Sequence, residues 1–146
     1  MKLIFLDIDG VLNSAMGKDP YVSDMEVEKL KLLKNLIKES KASGVVITSD
    51  RRYSKVDMKH KLLAFSSYGI CVVGQTRFPN QDDIDDTRGK QILDYLSSSK
   101  EEIEKIAILD DNDDGISNIF FENFILVNRF YGLNEETYKK ALILLN

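Results

Sequence analysis

Apolar and polar positions in this chain come in blocks. Leu3-Ile4-Phe5-Leu6 is an unbroken apolar run that ends at Asp7. Such a run reads as a strand covered on both faces in a parallel sheet. Val45-Val46-Ile47, Ile70 to Val73, Ile106-Ala107-Ile108-Leu109 and Phe124 to Val127 read the same way. Helical spacing lies between them. Val27, Leu30, Leu33, Leu36 and Ile37 share one face of a helix predicted over 24–41, with Ser23 or Asp24 as its N-cap and Glu26 and Glu28 in its first turns. Further helices are predicted over 54–67, 88–98 and 135–145, the last capped by Asn134, with a weak helix or turn reaching Phe120. A polar connection with Gly17 and Pro20 follows the first strand, and a turn-rich acidic one covers 74–87. Strands alternating with helices predict an α/β fold with a mainly parallel five-stranded sheet and right-handed crossovers.

Composition narrows this frame. With 146 residues the chain has the size of one domain, expected over 1–146, with one sizeable core. Hydrophobic residues make up 43% and charged residues 30%, as in globular proteins, and the net charge of -4 argues against a general basic footprint for nucleic acid. The lone Cys71 excludes an intramolecular disulfide, is expected to be a small buried core residue, and fits a cytoplasmic setting. The first apolar run is too short for a secretion signal, no run approaches a membrane span, and no obligate protein partner is evident.

The chemistry sits at the strand tips. The first strand delivers Asp7 and Asp9, the second Thr48, Ser49, Arg51 and Arg52, the fourth Asp110 and Asp111. Parallel strands put these tips on one edge of the sheet, where open α/β folds bind ligands. Lys90, at the start of the helix before the fourth strand, is expected to point to that edge. Unpaired carboxylates are not buried without a partner, and a hard divalent cation such as Mg²⁺ supplies one. The set suits phosphoryl transfer: a carboxylate nucleophile, a second carboxylate two residues on for proton transfer, acidic metal ligands, and a hydroxyl and lysine for phosphate oxygens. Taken alone, Asp9-Gly10 reads equally well as an ordinary acidic turn.

Asp7-Ile8-Asp9-Gly10-Val11-Leu12, Thr48 after an apolar strand, Lys90, and the Asp110-Asp111 pair resemble, in order, the four motifs of the haloacid-dehalogenase-like (HAD) superfamily. Thr48-Ser49-Asp50-Arg51-Arg52 and Thr87-Arg88-Gly89-Lys90-Gln91-Ile92 are similar to a cap-less branch that includes phosphatase domains of RNA-repair proteins and resembles the phosphatase half of phage polynucleotide kinase-phosphatases. The resemblance implies a three-layer Rossmann-like domain without a sizeable cap. It implies a Mg²⁺-dependent phosphatase acting through an aspartyl-phosphate. Asp7 would be the nucleophile, Asp9 the acid/base with its carbonyl on the metal, and Lys90 the stabiliser of the nucleophile–phosphate pair. Thr48, or Ser49 in its place, would bind phosphate. Asp111, with Asp110 beside it, would hold metal, and Asp114, or Asp113, would orient Lys90 or a water. Two departures stand out: Val11 replaces the usual Thr, and Arg51-Arg52 replaces a Trp-Arg pair. An open site implies a phosphorylated substrate such as a polynucleotide end, a nucleotide or a protein loop.

The alternatives are a receiver-like signalling module, which carries an acidic pair at the first strand and its phosphoacceptor on a middle strand, where this chain has Asp7 and Asp9 on the first strand and Asp110-Asp111 on the fourth, and a non-catalytic phosphate- or metal-binding domain. Arg51 and Arg52 read equally well as a phosphate grip or as a surface pair. His60 and the lysines beside it, and the acidic run 82–86, read as solvated faces. Tyr53, Phe78 and Tyr131 lie near predicted loops, where packing under a loop competes with stacking on a base.

Overall fold

The computed structural model describes residues 1–14 and 24–146. Gly17, Pro20 and the expected cap Ser23 lie outside the described residues. The elements run β1 (Lys2–Leu6), α1 (Val27–Ser40), β2 (Gly44–Ile47), a 3₁₀ turn (Asp50–Tyr53), α2 (Lys55–Ser67), β3 (Val72–Gln75), α3 (Arg88–Ser98), β4 (Lys105–Asp110), α4 (Ile116–Phe120), β5 (Phe124–Leu126) and α5 (Glu135–Leu145). The five strands are all parallel, in the order β3-β2-β1-β4-β5.

Alternation along each strand divides the core between the two faces. Ile4, Leu6, Val45, Ile47, Ala107 and Leu109 join Leu30, Leu33 and Leu36 of α1, Met58 and Phe65 of α2, and Tyr138, Ala141 and Leu145 of α5. Leu3, Phe5, Val46, Ile106 and Ile108 turn the other way, onto Ile92 of α3 and Ile116 of α4. The result is three layers, and α2 and β3 fill the stretch between Arg52 and Thr87 without an inserted cap.

Two expectations change. The N-cap of α1 is Glu26, without a side-chain cap, so the helix starts later than the acidic residues suggest; the Glu26 N–H instead donates to the Leu12 carbonyl at 2.7 Å. The third strand starts two residues late and Cys71 is exposed, a correction to the buried cysteine expected. The reason is that β3 is the sheet edge. Ile70 is buried as it enters, while Val73 and Gln75 face outward, as an edge strand with one open face allows.

From β1 the chain moves outward through β2 to β3, then returns past β1 to β4 and β5. Its direction reverses between β1 and β4. In open α/β sheets the crevice beyond the carboxyl ends at such a reversal is the binding site.

Candidate active site

Asp7, Asp110 and Asp111 meet in that crevice. One oxygen from each lies within 4.8 Å of the others. Backbone pairing sets them there: the Asp7 N–H donates to the Leu109 carbonyl at 3.0 Å, and the Thr48 N–H donates to the Leu6 carbonyl at 3.0 Å. Beyond Asp7 the chain turns back, with the Val11 and Leu12 N–H groups donating to the Ile8 carbonyl and all three side chains anchored in the core. Val11 is therefore a packing residue. Gly10 makes the turn at φ 80°, and a Cβ there would lie 2.3 Å from Asp111 Oδ2. Only glycine lets the two acidic tips approach so closely.

The cation among these carboxylates is Arg88. Its Nη1 lies 2.6 Å from Asp110 Oδ2 and 3.5 Å from Asp7 Oδ1, and its Nη2 lies 3.1 Å from Asp50 Oδ1. Lys90, the residue expected there, is exposed, and the carboxylate it influences is Asp86. Helix geometry explains the exchange: residues two apart on a helix point about 200° apart, so Arg88 and Lys90 cannot both face the crevice. The start of α3 is docked by Asp114, whose Oδ2 accepts from the Arg88 N–H at 3.0 Å and whose carbonyl accepts from the Gly89 N–H. A Cβ on Gly89 would lie 2.3 Å from the Gly115 carbonyl oxygen. That glycine was the available sign that position 88 presses against the loop after β4. Asp114 thus holds the backbone of Arg88, while Asp113 accepts from the Ser117 backbone N–H in the first turn of α4.

Asp9 stands apart from the cluster. Arg51 grips both of its oxygens at 2.9 Å, and Asn13 Nδ2 donates to Oδ1 at 3.2 Å. Arg51 also reaches Asp57 at 3.3 Å. Arg52 takes a place quite unlike a phosphate grip. It is buried, and its five N–H bonds go to the carbonyls of Thr48, Ser49, Thr76 and Arg77 and to the Gln91 side chain. No donor is left for a substrate. Arg129, unremarked in the sequence, brings Nε to 3.2 Å from Asp111 Oδ2 at the rim.

The two hydroxyls of the second strand tip also part. Ser49 Oγ accepts from the Arg51 N–H and caps the 3₁₀ turn. Thr48 Oγ1 is buried without a hydrogen-bond partner, and Asp111 Oδ2, though ion-paired with Arg129, accepts no hydrogen bond. Buried polar atoms are rarely left so, and an orphan in a crevice points to a missing ligand.

Electrostatics say the same. Burial, and then repulsion from Asp110, push the Asp7 carboxyl well above its ordinary range, with Arg88 opposing. Burial raises Asp110 to about 6. Burial pulls the Arg88 guanidinium down, but Asp110 and Asp7 more than offset this and its pKa is raised. Arg88 and the half-exposed Arg129 leave the three clustered carboxylates short of a full set of charge partners. An all-oxygen donor set of this kind fits a hard divalent cation held by Asp7, Asp110 and Asp111.

Residues 3–138 match the family described as the HAD domain in Swiss Army Knife RNA repair proteins. No curated protein and no solved structure matches the chain.

Proposed function

Since the chain belongs to the HAD domains of Swiss Army Knife RNA repair proteins, a hydrolase family of the HAD kind that generally uses Mg²⁺, we propose that it is a Mg²⁺-dependent phosphomonoester hydrolase. Its substrate on this reading is a nucleotide or a polynucleotide end, and it works through an aspartyl-phosphate on Asp7. The observation that carries the reading is the Asp7, Asp110 and Asp111 cluster at the β1/β4 reversal, with the orphaned Thr48 hydroxyl beside it on the next strand tip.

Asp7 Oδ attacks phosphorus, and the bond to the leaving oxygen breaks as that oxygen takes a proton from Asp9. Asp9, now a carboxylate, takes a proton from water. The water oxygen attacks phosphorus, phosphate departs, and Asp7 and protonated Asp9 are restored. For this work the Asp9 carboxylate exchanges its Arg51 fork for the reacting oxygens. Arg51, so released, keeps Asp57 and presents its other N–H groups to the phosphate. Thr48 Oγ1 donates to a phosphate oxygen. Arg88 takes the place proposed for Lys90: it stabilises ionised Asp7 and the charge that develops on the phosphoryl group. A bound Mg²⁺ would supply the positive charge that keeps Asp7 ionised and shields it from an anionic substrate.

The test is phosphate release from an aryl phosphate and from 3′- and 5′-phosphorylated oligonucleotides, with and without Mg²⁺, alongside Asp7→Asn. Mg²⁺-dependent release that Asp7→Asn abolishes is expected. No such release, or release indifferent to Asp7→Asn, overturns the reading.

A further inference from the structure

Beside the crevice, on the side of β2 and β3, stands an aromatic pair that the catalytic reading leaves unused. Tyr53 and Phe78 pack edge to face, with centroids 4.8 Å apart and planes at 76°. Both rings remain about half exposed, at 46% and 50%. The Arg52 guanidinium lies behind both, 5.1 Å from the Tyr53 centroid and 5.6 Å from that of Phe78. Since every Arg52 N–H is committed to protein oxygens, the rings rest on a fixed support. An exposed Phe is costly to display and to hold still, and this one is held still.

The pair is wired to the catalytic edge. Tyr53 interacts electrostatically with Asp50 across the 3₁₀ turn. Asp50 accepts from Arg88 Nη2 at 3.1 Å, and Arg88 Nη1 lies 3.5 Å from Asp7. Three contacts therefore separate the ring from the nucleophile. Behind Phe78 a groove of about 450 Å³ runs between α2 and β3, lined by Lys55, Lys59, Leu62, Leu63 and Gln75 among others. That volume is in the range of small-molecule sites. Its two lysines are the charge a phosphodiester needs, in a chain whose net charge is -4. Half-exposed aromatic faces beside a largely apolar groove that carries two lysines, a few contacts from the acidic crevice, suit single-stranded nucleic acid.

We infer that Tyr53 and Phe78 form a base-stacking subsite, on which the nucleobase of the phosphorylated terminal nucleotide rests while Lys55 and Lys59 take the backbone that leads away from it. The inference deepens the phosphatase reading and rests on it for the placement of the phosphate. Stacking tolerates any base, so the subsite recognises a nucleotide without selecting a sequence.

The experiment measures binding apart from turnover. In the Asp7→Asn chain with Mg²⁺, fluorescence anisotropy follows a labelled oligonucleotide phosphorylated at its 3′ or 5′ end, and a matched oligonucleotide whose phosphorylated terminal residue lacks its base. The base-bearing form is expected to bind about tenfold more tightly. Adding Phe78→Ala should erase that difference, and Phe78→Trp should preserve it, with both variants melting like the parent by circular dichroism. Equal binding of the two oligonucleotides, a loss in Phe78→Ala that is the same for both, or no binding of either overturns the inference. Mg²⁺-dependent phosphate release by the chain with Asp7 intact, from an aryl phosphate and from the phosphorylated oligonucleotides, separates the two proposals. Release without base discrimination removes the subsite alone; base discrimination without release from any of them removes the phosphatase reading and keeps the subsite.

Discussion

Arg52 and Arg88 are both guanidiniums drawn into the same corner of the molecule, and they do opposite work. Arg52 hydrogen-bonds neutral oxygens, four of them backbone carbonyls at the ends of β2 and β3, and meets a carboxylate only at 3.5 Å, where Nη1 faces the exposed Asp50. Burial lowers its pKa. Arg88 gives its terminal nitrogens to carboxylates, Asp110, Asp7 and Asp50, and those carboxylates raise its pKa against the pull of burial. Carbonyls that would otherwise be orphaned need a fixed donor, so Arg52 holds the scaffold. Carboxylates that repel each other need a charge, so Arg88 holds the site. Depth of burial does not distinguish the two arginines; the charge of the groups that accept their hydrogen bonds does, neutral for Arg52 and carboxylate for Arg88.

This contrast can be broken by substitution. Arg52→Ala should give the largest effect. It strands several buried carbonyls and should cost about 3 kcal/mol or more of stability, a fall in Tm on the order of 10 °C, read in a denaturant or thermal melt. Arg52→Lys should recover little of it, because three donors on a flexible stem cannot serve five oxygens. Arg88→Ala should reverse the pattern. On the phosphatase reading it lowers kcat/KM for phosphate release by about 100-fold or more while the Tm changes far less than in Arg52→Ala. If the two variants lose stability and activity in parallel, the division of labour is wrong.

Next in size is the response to metal and pH. Saturating Mg²⁺ at pH 7.5 should raise the Tm, by an amount equivalent to about 2.7 kcal/mol at 100 times its Kd. In the metal-free chain, Asp110 titrates near 6 when folded against an ordinary value of 3.8, and Asp7 is raised as well. The folded state therefore binds more protons than the unfolded state between about pH 4 and 6. Stability from Asp110 falls as pH rises through that window and is level above it, and the raised Asp7 adds a loss of the same sign. Melts of the chain and of Asp110→Asn from pH 4.5 to 7.5 should show that the substitution removes part of this slope. The smallest effect belongs to Lys90→Ala, expected to change kcat/KM less than about threefold because an exposed cation is worth little. A loss as deep as that of Arg88→Ala would return the role to Lys90.

The parallel sheet was legible because each apolar run is short and bounded, and β1, α3 and α5 begin and end where their patterns do. The edge strand was less so. Ile70 is apolar for packing before the strand begins, which draws a purely apolar reading of β3 two residues early. The carboxylates were legible because a strand tip can be located from the apolar run before it. Arg88 was not. The bounds of α3 were right, but they do not fix how the helix is turned about its axis, and a turn of about 200° exchanges Arg88 for Lys90. Likewise, nothing in Arg51-Arg52 as a pair says that one will meet Asp9 and the other carbonyls. That depends on where 76, 77 and 91 arrive in space.

β1 is the hub of the sheet, and its two pairings differ in reach. Leu3 pairs with Gly44 on one side and with Ile106 on the other. Long parallel closures form slowly, since the entropy of the loop is spent before any contact rewards it. Asp7 thus acquires Asp110 and Asp111 only at the longest strand pairing of the sheet. With only β1, β2 and β3 joined, Thr48 and Asp9 stand beside an Asp7 that lacks Asp110 and Asp111. The crevice is complete only once β4 has paired with β1.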